Sequence, residues 1–207
     1  MEETKTGATD DEVAVEETEN SDTEVAETEG TEAVEETEEL EVIDEAQNAT
    51  AAKDFGYYED VDGTITITKY YGSDTEVVIP ETIDGKSVTS IGATAFSMCR
   101  SLTSIGIPSS VTSIGEYTFS GCSGLTSIGL PSGVTSIGDG AFSECSGLTS
   151  IELPSGVTSI EEQTFKKCSS LTSIEIPSSV TSIGAGAFEE CSSLTSIEIP
   201  PSVTSIG

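Results

Sequence analysis

Glu152, Glu175 and Glu198 recur every 23 residues, and Ser104, Ser127, Ser150, Ser173 and Ser196 form a second series at the same interval. Carboxylates stacked at such a repeat repel one another unless a cation or a basic ligand screens them. The chemistry they offer is capture of Lys or Arg side chains, or weak Ca²⁺ binding by carboxylate oxygens. Three solvated surface carboxylates are the plain alternative. Cys99, Cys122, Cys145, Cys168 and Cys191 keep the 23-residue interval too. An odd number leaves at least one thiol without an intramolecular disulfide partner, and the absence of CxxC removes the zinc spacing. Free cysteine behaves as a small apolar residue, so the expectation is a reduced core column. Disulfides between adjacent rungs would need a Cβ geometry that a flat column does not promise.

Catalysis finds little support. The chain has no histidine and no tryptophan, which excludes Ser-His and Cys-His nucleophilic pairs and histidine-ligated metals or haem. Lys166 and Lys167 could serve a Ser-Lys pair, but nothing near them marks a nucleophile or an oxyanion site. The glycines follow the repeat and form no phosphate loop. No catalytic residue and no cofactor is expected.

The formal charge of −31 divides unevenly: residues 1–54 hold 21 Asp and Glu against two Lys, and residues 55–207 hold 17 against five basic residues. With only seven Val, Leu or Ile, the first segment cannot offset an ordering cost of about 1–2 kcal/mol per residue. It reads as an extended, self-repelling tail or spacer, with one chance of a helical turn at Thr37–Ala46 and an Asn48-Ala-Thr50 glycosylation pattern. So negative a chain is repelled by phosphate backbones and anionic lipid, which argues against nucleic acid and bare membrane as partners. No run of about 18 apolar residues provides a spanning segment. Met1 is followed by Glu2 and Glu3 rather than by a basic and then an apolar stretch, so no signal peptide is visible.

What positions the Glu, Ser and Cys series is a coil. VTSIG recurs at 88, 111, 134, 180 and 203, VTSIE stands at 157, and LTSI recurs at 102, 125, 148, 171 and 194. A unit of 23 residues cannot enclose its own apolar side chains and does so by stacking on its neighbours. In Leu102-Thr-Ser-Ile-Gly-Ile107, Ile105 and Ile107 share a parity and point inward while Ser104 and Gly106 face out. Pro108 ends the strand. Val111 and Ile114 make the next inward pair, Gly115 is expected to supply a tight bend, and Phe96 with Cys99 is expected on a short helical or 3₁₀ turn. Six coils at about 4.8 Å would make a slab about 29 Å long.

The pattern Leu-x-x-Ile-x-Ile-Pro-x-x-Val-Thr-Ser-Ile-Gly-x-x-Ala-Phe-x-x-Cys resembles the BspA-like class of leucine-rich repeats of microbial surface proteins. The resemblance covers 88–207 and implies a leucine-rich-repeat solenoid, mostly short β-strands. Residues 55–87 resemble its entry cap, with an N-terminal β-hairpin, a strand at Thr64–Thr68 and a first rung at Thr75–Ile79. Pro80 and Val88 stand five residues further apart than Pro108 and Val111, so Glu81–Lys86 is expected to bulge as a loop. The chain stops inside a repeat at Gly207, which, with no signal peptide visible, is expected of a fragment or of a gene that has lost one or both ends. The resemblance further implies a concave binding face at Ser104, Ser127, Ser150, Ser173, Ser196, Glu152, Glu175 and Glu198, and a cell-surface or secreted location. The function expected is protein binding or adhesion, toward host matrix or other basic protein surfaces. A structural spacer or scaffold segment of a larger multi-domain surface protein is the alternative; the near identity of the outward residues points to recent repeat duplication and weak selectivity.

Overall fold

The computed structural model describes residues 50–207. Most of the acidic segment, with the Thr37–Ala46 turn and the Asn48 acceptor, lies outside the described residues. Thr50–Asp54, assigned to that segment on composition, pack on the rest: Thr50 N donates to Val78 O at 2.9 Å and Thr50 Oγ1 accepts from Val78 N at 3.0 Å. Ala52–Asp54 forms a 3₁₀ turn.

β1 (Phe55–Glu59) and β2 (Ile65–Tyr70) form the antiparallel hairpin expected at the entry. Its turn closes through Asp60 N→Thr64 O and Gly63 N→Asp60 O, with Gly63 at φ 84°. β3 (Glu76–Val78) is the first rung, pairing in parallel with β6 (Ser104–Gly106). Between them lie β4 (Thr82–Ile83) and β5 (Lys86–Ile91). The expected loop at 81–86 is corrected here: β4 and the start of β5 form a second tight hairpin with Thr82 opposite Ser87. Asp84 and Gly85, at φ 53° and 75°, make its two-residue turn, and Asp-Gly is the dipeptide that such a turn demands.

Beyond this point the solenoid announced by the 23-residue period forms in full. One strand column carries the VTSI segments: β7 (Ser113–Ile114), β8 (Ser136–Ile137), β10 (Ser159–Ile160), β12 (Ser182–Ile183) and β13 (Ser205–Ile206). The LTSI segments make a second column with β9 (Ser150–Glu152) and β11 (Ser173–Glu175). Beyond the entry strands the pairings along both columns are parallel, serine on serine and isoleucine on isoleucine. Period 2 within the strand thus sends the isoleucines inward, except Ile206 of the last strand, which is exposed; each buried one stabilises by about 1.5–3 kcal/mol.

The third side of the coil is built of turns. Ala95, Phe96 and their equivalents sit in single i→i−3 turns, such as Ser97 N→Thr94 O and Cys99 N→Phe96 O, the 3₁₀ type of the two turns expected. Two left-handed residues per coil prevent helix propagation. One series is Thr94, Tyr117, Gly140, Gln163 and Gly186; the other is Met98, Gly121, Glu144, Lys167 and Glu190. Amides here bond the next coil, as in Phe119 N→Ala141 O and Phe142 N→Thr164 O. The phenylalanines stack between Phe96 and Phe188 at ring separations of 5.5–5.6 Å, and Tyr70 and Phe55 continue the stack into the entry hairpin.

The glycine after VTSI has a role other than the bend expected of Gly115. A Cβ at Gly115, Gly138 or Gly184 would lie 2.5–2.7 Å from an amide nitrogen of the preceding coil, so the column needs glycine for close backbone approach. The same position is Glu161 in one coil, and there the ladder is interrupted. Gly138 N→Ile114 O at 2.9 Å and Gly184 N→Ile160 O at 2.7 Å bracket a position with no equivalent bond from Glu161. Thr135 N→Thr112 O and Thr181 N→Thr158 O are likewise present and the Thr158 bond is missing. β8 and β10 accordingly belong to different sheets.

Candidate functional site

The LTSI column places its series as the alternation requires. Ser104, Ser127, Ser150, Ser173 and Ser196 are all exposed, and so are Glu152, Glu175 and Glu198. β9 and β11 bring Ser150 opposite Ser173 and Glu152 opposite Glu175 in register, two carboxylates one rung apart on one face. Ser127 and Ser196 occupy the same register outside regular strand. Below this face, Ile105, Ile128, Ile151 and Ile174 are buried, so the floor is rigid and the outer side chains are free to meet a partner. Thr149 and Thr172 hydroxyls donate to the carbonyls of Thr126 and Thr149, tying the rungs at the edge of the face. The ion pairs of the described residues join Lys86 to Glu59, Lys166 to Glu189 and Lys167 to Glu144. None of them neutralises the Glu152, Glu175 and Glu198 column. Among the described residues no group of three or more Cys, Asp or Glu converges on a metal position.

Lys166 and Lys167 are both held by carboxylates on the turn side, at 2.7 and 3.0 Å. Glu144 holds the Lys167 ammonium above its ordinary range, the opposite of what a Ser-Lys base requires.

The cysteines are free thiols in a buried column, Cys99 being half-buried. Their sulfurs donate to phenylalanine carbonyls of the preceding coil: Cys122 to Phe96 O, Cys145 to Phe119 O and Cys168 to Phe142 O at 3.1 Å, and Cys191 to Phe165 O at 3.0 Å. This bond was not legible in the repeat, because its donor and acceptor lie 26 residues apart, one full coil plus the Phe-to-Cys offset. Burial pushes the Cys122 and Cys168 thiols from an ordinary 9.0 up to about 12, and Cys145 well above 9.0. The folded state thus favours the neutral thiol. Its contribution to stability is complete below pH 9 and is lost as pH rises toward 12. In timed alkylation at pH 8 followed by intact mass, Cys99 is expected to label first, with Cys122, Cys145 and Cys168 labelling only on unfolding. Early uniform labelling of all five would contradict the packed column.

The profile of the BspA type leucine rich repeat region matches residues 89–207 in six copies. Solved structures similar to the chain include a leucine rich repeat protein of T. pallidum. That protein is 36% identical with a TM-score of 0.71, over 77% of this chain and 81% of the other. A leucine rich cell surface protein from Faecalibacterium prausnitzii A2-165 is 33% identical with a TM-score of 0.62; the likeness covers 77% of this chain but 50% of that one, so the chain spans half its length. A leucine-rich repeat protein from Bacteroides capillosus is 26% identical with a TM-score of 0.51, over 61% of this chain and 96% of the other. No curated protein matches the chain.

Proposed function

The chain belongs to the BspA-type leucine-rich-repeat family, and from that premise we propose that it is a non-enzymatic protein-docking module of a surface or secreted protein. The docking face is the LTSI column, and the observation that carries this reading is the in-register exposure of Glu152, Glu175 and Glu198 beside the five serines, with no cation of the described residues paired to those glutamates. The partner that fits is a folded protein presenting Lys or Arg, because opposite charge on the two surfaces speeds encounter and sets orientation. The likeness to a leucine rich cell surface protein supports the location. Among the described residues no helix is long and apolar enough to cross a membrane.

The test is binding of the full chain to immobilised basic extracellular-matrix proteins. Exposed ion pairs contribute about 0.2–1 kcal/mol each, so Glu152→Gln with Glu175→Gln and Glu198→Gln should weaken binding by about three- to a hundredfold and flatten its salt dependence. Binding that ignores the triple variant leaves the chain a spacer between other modules.

A further inference from the structure

The VTSI column carries a second, different surface. At its entry end Tyr58 of β1 stands half-exposed at 52%, opposite Thr66 of β2. It overhangs an open trough of about 450 Å³. Gly92, Gly115 and Gly138 line that trough, and none of them adds a side chain to the floor. Ser90 and Ser113 run beside them, their hydroxyls bonded to each other at 2.8 Å. The lining runs from Tyr58 at the head to Ser136 and Gly138, and in the coil after these Glu161 takes the place of glycine. Glu116 lines the trough and Asp60 its head, where it accepts from Thr66 Oγ1 at 2.6 Å; Asp139 and Glu162 hold the position of Glu116 in the next two coils, continuing its series beyond the lining residues. Asp139 Oδ1 accepts the Glu162 amide at 3.2 Å. The three ion pairs of the described residues involve none of these four carboxylates.

We propose that this trough docks an extended polypeptide segment bearing Lys or Arg, with one cation over the Tyr58 ring and others on Glu116, Asp139 and Glu162. Charge complementarity selects this occupant. Residues 1–49 carry 20 carboxylates against one lysine, and a second copy brings a formal charge of −31, so both are repelled. Dimensions agree as well. Carboxylates one coil apart recur at about 4.8 Å, an extended chain presents same-side residues about every 6.7 Å, and the flexible four-carbon lysine stem takes up the difference. The glycine floor admits a backbone that any larger side chain would hold off.

The experiment titrates the full chain against a fluorescein-labelled twelve-residue Lys-Gly alternating peptide by anisotropy, at roughly 0.05 M and 0.5 M salt, with Ser-Gly and Glu-Gly peptides as controls. Glu116→Gln with Asp139→Asn and Glu162→Gln should weaken binding about tenfold at low salt. Tyr58→Ala, and Tyr58→Leu which keeps apolar cover but no ring face, should each weaken it about two- to fivefold. The opposite-face triple Glu152→Gln, Glu175→Gln, Glu198→Gln should leave it within about twofold. The proposal is overturned if that opposite-face triple costs as much as the trough triple, if both Tyr58 variants bind as the parent does, or if the Ser-Gly peptide binds equally well.

Discussion

Phe142→Ala is expected to remove about 3–5 kcal/mol of stability, the upper range for a single side-chain truncation. The Phe142 ring is fully buried and lies between Phe119 and Phe165 at 5.5 and 5.6 Å, with interplanar angles of 10° and 4°. Truncation loses the transfer free energy of the ring, leaves a cavity, and breaks two aromatic pairs that contribute about 0.5–1.5 kcal/mol each beyond their area. The cavity lies in mid-stack, where both neighbours are themselves held by amide bonds to adjoining coils, so collapse is limited. Phe188→Ala makes the comparison, because that ring is only partly buried and stacks on one described phenylalanine; it should cost markedly less. Urea unfolding of both variants at matched m-values decides. Because coils interact only with neighbours, Phe142→Ala is also expected to broaden or split the transition, as the halves on either side of it uncouple. A loss below about 1 kcal/mol for Phe142→Ala would refute the continuous stack.

Gly138→Glu is the second large effect, and nature has already placed that residue one coil later. By analogy with Glu161, the new Cβ meets the Glu116 amide nitrogen at 2.7 Å and forces the strand column apart. The bonds Gly138 N→Ile114 O and Thr135 N→Thr112 O, both 2.9 Å, then open. Two backbone bonds contribute about 0.5–1.5 kcal/mol each, and the steric displacement adds about 1–3 kcal/mol. The reciprocal Glu161→Gly should close the ladder between β8 and β10. Its gain of two bonds is reduced by about 0.5–1 kcal/mol for glycine's greater freedom in the unfolded chain. The measurement is the melting temperature of both variants, with amide exchange at Thr158 and residue 161. A lower melting temperature in Glu161→Gly, or exchange there as fast as in the parent, would show that Glu161 is not what opens the column.

The inward columns of Ile, Val, Leu, Phe and Cys were legible in the sequence because each follows from parity or period alone: Ile105, Val111, Phe119 and Cys122 are buried where the repeat places them. Three things were not. The left-handed turn residues escaped because seven of the ten carry side chains, so composition has no glycine signal to show there. Gly115 was read as a bend because its need for a bare α-carbon arises from the neighbouring coil, which no local reading contains. Glu161 was visible as a departure from VTSIG, yet its consequence depends on the same inter-coil distance. The Glu81–Lys86 hairpin was legible in principle, since Asp84-Gly85 is a strong turn signal, but the length of the insertion suggested a loop. On the LTSI face alternation put every candidate Ser and Glu outward. The trough under Tyr58 could not be read, because it joins the entry hairpin to coils far along the chain.

The left-handed turn residues have a consequence for how the array comes into being. Thr94, Tyr117 and Gln163, and likewise Met98, Glu144, Lys167 and Glu190, hold φ between 52° and 63°, a conformation that costs an L-residue about 1–2 kcal/mol. Their own sequence opposes the shape they take, and the amide bonds that enforce it come from the adjoining coil, as in Tyr117 N→Asp139 O and Lys167 N→Glu189 O. A coil is therefore a mould for the next one rather than a piece with a form of its own. The β1–β2 hairpin, whose antiparallel pairing is local, is the part able to set the first mould.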